Sequence, residues 1–146
     1  MRKKQILLVE DNPDDLELAQ IALRESGFAD DTRVARDGQE ALDMLCGPLS
    51  DPAADCPDVV LLDLKLPRVN GFEVLKRLRQ EARTRYLPVV VMSSSREEQD
   101  LLESYRLGAN SYIQKSLDFP KFLEAVRLVG HYWLDLNVMP GRVGAH

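Results

Sequence analysis

Five side chains able to handle a metal ion or a phosphate group stand directly behind short runs that read as strands, three of them uninterruptedly apolar. Glu10 and Asp11 close the run Ile6–Val9, Asp63 closes Val59–Leu62, Ser93 closes Val89–Met92, and Lys115 follows Ser111–Gln114. Three acids converging on one small site would repel one another, so either their pKa values rise or a cation resolves the repulsion. An oxygen-only donor set with few carboxylates suits a hard ion such as Mg²⁺, which keeps several waters and often bridges to phosphate oxygen. A lysine and a hydroxyl beside such an ion point to an anionic partner, most simply a phosphoryl group. An aspartate can itself accept that group, forming an acyl phosphate. Asp63 is the best placed, alone at its strand end opposite the Glu10–Asp11 pair.

These residues meet only if the runs are strands lying side by side, and the intervening sequence supplies the helices. Asn12 and Pro13 read as a helix cap and first helical residue, with Asp14 and Asp15 assigned to the helix start, where the dipole favours acids. Leu16, Ala19, Ala22 and Leu23 recur at helical spacing and Gly27 stops the helix. Thr32–Ala35 is a second strand, and Ala41, Leu42 and Leu45 mark a second helix. GPLSDPAADCP, residues 47 to 57, is a loop. Val74, Leu75, Leu78 and Ala82 mark a helix from Phe72. Leu101, Leu102, Tyr105 and Leu107 mark another, capped by Gly108. Phe119–Leu136 is a last helix with an apolar face of Phe122, Leu123, Val126, Val129 and Trp133. Five strand–helix alternations indicate an α/β domain with a parallel sheet. The three uninterrupted apolar runs are what strands covered by helices on both faces require. In such sheets ligands bind at the carboxyl ends of the strands, near the point where strand order reverses.

The chain resembles response-regulator receiver domains of two-component signalling, over essentially all of residues 4 to 130. The resemblance rests on the acidic pair in VED, on DLKLPRVNGFEVL from Asp63, on LPVVVMSS around Ser93 and on NSYIQK ending at Lys115. It implies a flavodoxin-like (βα)5 doubly wound parallel sheet of order 2-1-3-4-5. It also implies phosphorylation of Asp63 by a partner histidine kinase, with Mg²⁺ held by Glu10, Asp11, Asp63 and the backbone carbonyl of Lys65. Ser93 and Tyr112 are then the switch pair, and Lys115 holds the phosphoryl group. Lys65 and Ser95 flank the site at positions that tune the lifetime of the phosphorylated state. The ending, KFLEAVRLVGHYWLDLN, resembles the long final helix of small stand-alone regulators paired with bacterial phytochromes. That implies a phytochrome-type sensor kinase and a homodimer through the fourth helix, fifth strand and fifth helix. One departure stands out: the family follows this lysine with proline in a cis bond, and here Ser116 follows. The position of the lysine calls for a cis bond nonetheless, at a cost of about 2.5–4 kcal/mol before a non-proline residue.

With 146 residues the chain is expected to be one receiver domain, residues 1–137, followed by a disordered tail, residues 138–146, and no appended output domain. A formal net charge of −5 argues against general binding to nucleic acid or anionic membrane. The basic opening MRKK is followed by only four apolar residues, too few for a signal-peptide core, so the cytoplasm is the expected location. Cys46 and Cys56 fit no zinc spacing and read as free thiols. The basic stretch Lys76, Arg77, Arg79, Arg83 and Arg85 reads as a solvated helix end. His131 and His146 lie away from the strand-end site, and no phosphate-binding loop motif is present. The rival reading is a Mg²⁺-dependent phosphatase or phosphotransferase with an aspartyl-phosphate intermediate. Such an enzyme needs a general acid two residues after its nucleophile, and that position is Lys65.

Overall fold

The computed structural model describes residues 4–48, 56–115 and 118–139. Five strands alternate with helices: β1 (Ile6–Val9), α1 (Pro13–Glu25), β2 (Thr32–Ala35), α2 (Gly38–Cys46), β3 (Val59–Asp63), α3 (Gly71–Gln80), β4 (Val89–Ser93), α4 (Glu98–Arg106), β5 (Ser111–Gln114) and α5 (Phe119–His131). The strands form one sheet in the order β2-β1-β3-β4-β5, every pair parallel, which is the flavodoxin-like order.

Burial on both faces explains the uninterrupted apolar runs. Alternate side chains of a strand point to opposite faces, and the core divides accordingly. Ile6, Leu8, Leu61 and Met92 pack with Leu16, Ala19 and Leu23 of α1 and Phe122 and Val126 of α5. Leu7, Val9, Val60 and Leu62 pack on the other side with Leu42 and Leu45 of α2 and Val74, Leu75 and Leu78 of α3. A strand with only one covered face would have alternated with polar residues.

The helix starts behave as their sequences demand. Asn12 accepts from the amides of Asp14 and Asp15, each at 3.0 Å, and Pro13 opens α1. Asn70 accepts from Glu73 N at 3.0 Å to start α3. Gly71 must be glycine because a Cβ there would lie 2.4 Å from the carbonyl oxygen of Asp63. Its own N–H donates to Leu64 O at 2.9 Å, so α3 is seated against the backbone that carries Asp63.

Helix α4 leaves Leu102 and Tyr105 exposed, and the residue it buries fully is Ser104. Two expectations need correction. Arg79 is not a solvated cation; its guanidinium is folded under the end of α3, donating to the carbonyls of Thr84, Arg85, Leu87 and Gly108. Helix α3 ends at Gln80, because the Glu81 backbone turns extended, so Ala82 lies beyond it. The last helix spans Phe119–Leu136 as expected, α-helical to His131 and then a π-helical turn, Tyr132–Leu136, which buries Leu134 and leaves Tyr132 and Leu136 exposed. Cys46 and Cys56 are both free, and burial pushes the Cys46 thiol above its ordinary pKa. Of the expected tail, Val138 and Met139 are described, and the rest lies outside the described residues. No helix among the described residues is long and apolar enough to cross a membrane.

Candidate functional site

The chain leaves β1 for β2 on one side and returns to β3 on the other, so a crevice opens at the carboxyl ends of β1 and β3. Glu10 remains tied to the sheet, its N–H donating to Ala35 O at 3.0 Å, and Asp11 follows where the chain departs for α1. Asp63 is the last residue of β3, and Ser93 the last of β4. The Lys115 N–H donates to Ser93 O at 2.8 Å, so the β4–β5 ladder runs one residue past β5 and delivers the lysine to the same edge.

Carboxylate oxygens of Glu10, Asp11 and Asp63 all lie within 4.8 Å of one another. Glu10 and Asp63 are buried, whereas Asp11 faces solvent. Lys115 Nζ bonds Glu10 Oε1, lies 3.0 Å from Asp15 Oδ2 and stands 3.5 Å from Asp63 Oδ1. Three carboxylates meet one ammonium, and Asp11 beside Glu10 and Asp63 adds a fourth negative group to the crevice. Burial, more than any charge, pushes Glu10 up to about 7, even though its bond to Lys115 pulls the other way and the neighbouring Asp63 reinforces the rise. Burial would lower Lys115, but the bond to Glu10 and the charges of Asp63 and Glu10 outweigh it and hold the ammonium above its ordinary pKa. A carboxyl poised to lose its proton, beside two further hard oxygen donors, fits a divalent cation of the Mg²⁺ type.

Ser93 is buried, and its hydroxyl accepts from Ser95 N at 3.1 Å, within its own loop. The Tyr112 hydroxyl donates to Ser95 O at 3.2 Å. Lys65 is exposed, two residues beyond Asp63. Ser116 lies outside the described residues, and the Lys115–Ser116 bond with it. One residue was misassigned from sequence: Asp15 serves the helix start, yet its carboxylate also reaches Lys115. The available signal was helical spacing, since Asp15 lies one turn before buried Ala19 and so borders the face of α1 that meets the sheet.

Fold and crevice together are those of a receiver domain, and the comparisons agree. The chain belongs to the response regulator receiver domain family, whose model matches residues 6–127. It is 40% identical over 137 residues to the probable methanogenesis regulatory protein FilR2 of Methanothrix harundinacea, covering 93% of this chain and 87% of that one. It is 34% identical to response regulator Rcp1 of Synechocystis, covering 94% and 93% of the two chains. Rcp1 has been solved in a Mn²⁺-bound form, with a TM-score of 0.80 to this chain. The phosphorylated cyanobacterial phytochrome response regulator RcpA superposes with a TM-score of 0.81 at 37% identity, covering 94% of this chain and 99% of that one. The stand-alone phytochrome response regulators are thus close relatives.

Proposed function

We propose that this chain is a single-domain response regulator whose Asp63 accepts a phosphoryl group from a phosphohistidine of a phytochrome-type sensor kinase. The observation that carries the reading is the convergence of the Glu10, Asp11 and Asp63 oxygens, with Lys115 Nζ 3.5 Å from Asp63. In the transfer, an oxygen of Asp63 bonds to phosphorus as the phosphorus–nitrogen bond breaks, and the histidine nitrogen leaves with the electron pair. Glu10, Asp11, Asp63 and the Lys65 carbonyl would hold Mg²⁺, which when bound supplies charge neutralisation for the phosphoryl oxygens. Lys115 provides a fixed positive charge at Asp63 without a proton transfer. Ser93 then turns its hydroxyl toward the product and Tyr112 follows inward, biasing a two-state surface. The chain acts as a phosphoacceptor, not a turnover enzyme, and its output is protein contact in the cytoplasm, without nucleic acid. The phytochrome partner draws support from RcpA, described in its phosphorylated state as a phytochrome response regulator.

A second copy of this chain is proposed to cover the α4–β5–α5 face. Its support is the exposure of Leu102, Tyr105, Leu128 and Tyr132, large side chains that a monomer leaves wet. The phosphatase reading lacks its general acid, because Lys65 occupies that position and cannot donate as a carboxylic acid does.

Incubation with Mg²⁺ and acetyl phosphate tests the function. One hydroxylamine-sensitive label per chain, absent from Asp63→Asn, is the expected result. Repeated turnover on an external phosphate ester would overturn it. Sedimentation tests the dimer, and a monomer at high concentration with and without phosphorylation would refute that part. A phosphotransfer profile against sensor kinases, phytochrome kinases first, tests the partner.

A further inference from the structure

The segment 76–86, KRLRQEARTRY, joins the end of α3 to the entry of β4 and sets five cations, Lys76, Arg77, Arg79, Arg83 and Arg85, against one acid, Glu81. In a chain of net charge −5 that is a local reversal of sign. Arg79 turns it into an ordered surface. Its guanidinium donates to the carbonyls of Thr84, Arg85 and Leu87 from beneath the loop. Thr84 is buried, with its hydroxyl donating to Leu78 O at 2.6 Å, and Leu87 is buried in the core. With those anchors turned inward, Arg83 and Arg85 are exposed, and Tyr86 is 66% exposed, unusual for so large an aromatic side chain. Lys76 and Arg77 are exposed on the last turns of α3. Lys76, Arg77 and Arg85 make no ion pair with any of the described residues.

We propose that this loop and the last turn of α3 form a docking site for an acidic protein segment, its carboxylates on the arginines and an apolar side chain on Tyr86. The proposal goes beyond the receiver reading and does not depend on it. Both outward cations of the loop are arginine, whose planar fork takes a carboxylate through two parallel bonds, where lysine offers only a point charge. Tyrosine and arginine are also the residue types that dominate binding energy at protein contacts. Because Arg79 already holds the backbone, docking has little loop freedom to remove. A nucleic-acid duplex or an anionic bilayer would meet the rest of an acidic chain as well. A short acidic segment feels only the charges within about 8–10 Å, the screening length, and there the sign is positive. The site lies at the far end of the sheet from Asp63. Strand β4 runs from Val89, just past this loop, to Ser93 at the crevice edge, about 17 Å of extended chain. A partner held here leaves the crevice open, which fits a tether or an output contact that persists whatever occupies the Asp63 end.

The test is fluorescence anisotropy of a fluorescein-labelled peptide, glutamates flanking a pair of leucines, titrated with the full chain. Saturable binding that weakens as salt rises from about 50 to about 200 mM is expected. The double variant Arg83→Glu, Arg85→Glu should lose at least about tenfold in affinity, and Tyr86→Ala about fivefold. Arg83→Lys with Arg85→Lys keeps the charge and should lose about threefold, as the fork geometry goes. Arg24→Glu with Lys121→Glu changes the net charge by the same amount at other exposed positions and should stay within about twofold of wild type. All these side chains are exposed, so every variant should keep the wild-type urea midpoint. Saturating peptide should leave the reaction with acetyl phosphate unchanged. Binding no tighter than about 1 mM would overturn the docking site, as would equal losses in the two charge-reversal pairs. Tighter binding to duplex DNA or to phosphatidylserine vesicles than to the peptide would overturn the choice of an acidic protein segment. Peptide that blocks the reaction with acetyl phosphate would overturn the placement away from the crevice.

Discussion

Replacing Arg79 should be among the most damaging changes to stability at any position outside the apolar core. Its guanidinium donates to Gly108 O from Nε at 3.1 Å and Nη2 at 2.8 Å, and from Nη1 to Thr84 O at 3.2 Å, Arg85 O at 3.1 Å and Leu87 O at 2.7 Å. Nη2 also reaches Asn110 Oδ1 at 3.1 Å, and that oxygen accepts from Val89 N, the first amide of β4. The side chain therefore ties the end of α3 to the connection into β4 and to the turn between α4 and β5. In Arg79→Met the stem stays and every one of these donors goes. The Arg85 and Asn110 acceptors are exposed and rehydrate at little cost. Those of Thr84, Leu87 and Gly108 are partly buried, and hydrogen bonds from a charged donor contribute roughly 1.5–3 kcal/mol each. Burial holds Arg79 below its ordinary pKa, so desolvation already takes back part of that gain. The net loss expected is about 3 kcal/mol, a large share of the 5–15 kcal/mol typical of a domain. Arg79→Lys should lose at least about 2 kcal/mol, because three donors on one nitrogen cannot span acceptors arranged around a planar fork. Urea unfolding measures this directly: the midpoint should fall with the slope unchanged. A midpoint for Arg79→Met within about 0.5 kcal/mol of wild type would refute the reasoning.

Gly130→Ala should destabilise by about 1–2 kcal/mol, although mid-helix glycine to alanine ordinarily gains up to about 1. The added Cβ would sit 2.3 Å from the Phe28 ring, which is buried and packed edge-on against His131, so it has nowhere to go; a raised melting temperature would contradict this. Asp15→Asn frees Lys115 from a partly exposed partner 3.0 Å away, and phosphorylation by acetyl phosphate should quicken by up to about fivefold, the most such a pair is normally worth. Slower labelling would show that Asp15 helps rather than detains the lysine. Glu10, raised from 4.5 to about 7, holds its proton more tightly in the folded chain, so its contribution to metal-free stability is full below 4.5 and is lost as pH rises through about 7. Mg²⁺ favours the ionised form, so calorimetry should show its affinity rising from pH 5.5 to 7, by at most about tenfold per unit, and then levelling. A flat affinity would be incompatible with a protonated Glu10.

What could be read from the sequence and what could not divide along a physical line. That Glu10, Asp11, Asp63 and Lys115 lie together was legible because a parallel sheet delivers every strand to the same edge. Knowing where each apolar run stops is then enough to know what meets. Sheet order followed from the family resemblance, not from periodicity, since five buried strands can be stacked in several orders with equal apolar patterning. Which face of α4 is buried was not legible, for the opposite reason. Leu101, Leu102, Tyr105 and Leu107 have helical spacing, but spacing says that a face is apolar, not which surface covers it. Here Ser104 is the residue that α4 buries, at 0% exposure, and Leu102 is left at 61%.

Arg79 and Asp15 share a different difficulty. Each makes decisive contacts with groups that sequence distance does not bring near: Gly108 lies 29 residues from Arg79, and Lys115 lies 100 from Asp15. Charged residues on helices are usually solvated, so composition favours the bland interpretation until the connecting loops have coordinates. Asp100 is closer, five residues from Ser95, and it stands three residues after the cap position, where an acid ordinarily reaches back to a capping residue. What hid it was Glu97 in the cap position, an unfavoured residue type there. A strong cap at 97 would make α4 indifferent to the loop before it. A poor one hands the start of the helix to Ser95, whose hydroxyl accepts from the Glu97 N–H and donates to the Asp100 carboxylate.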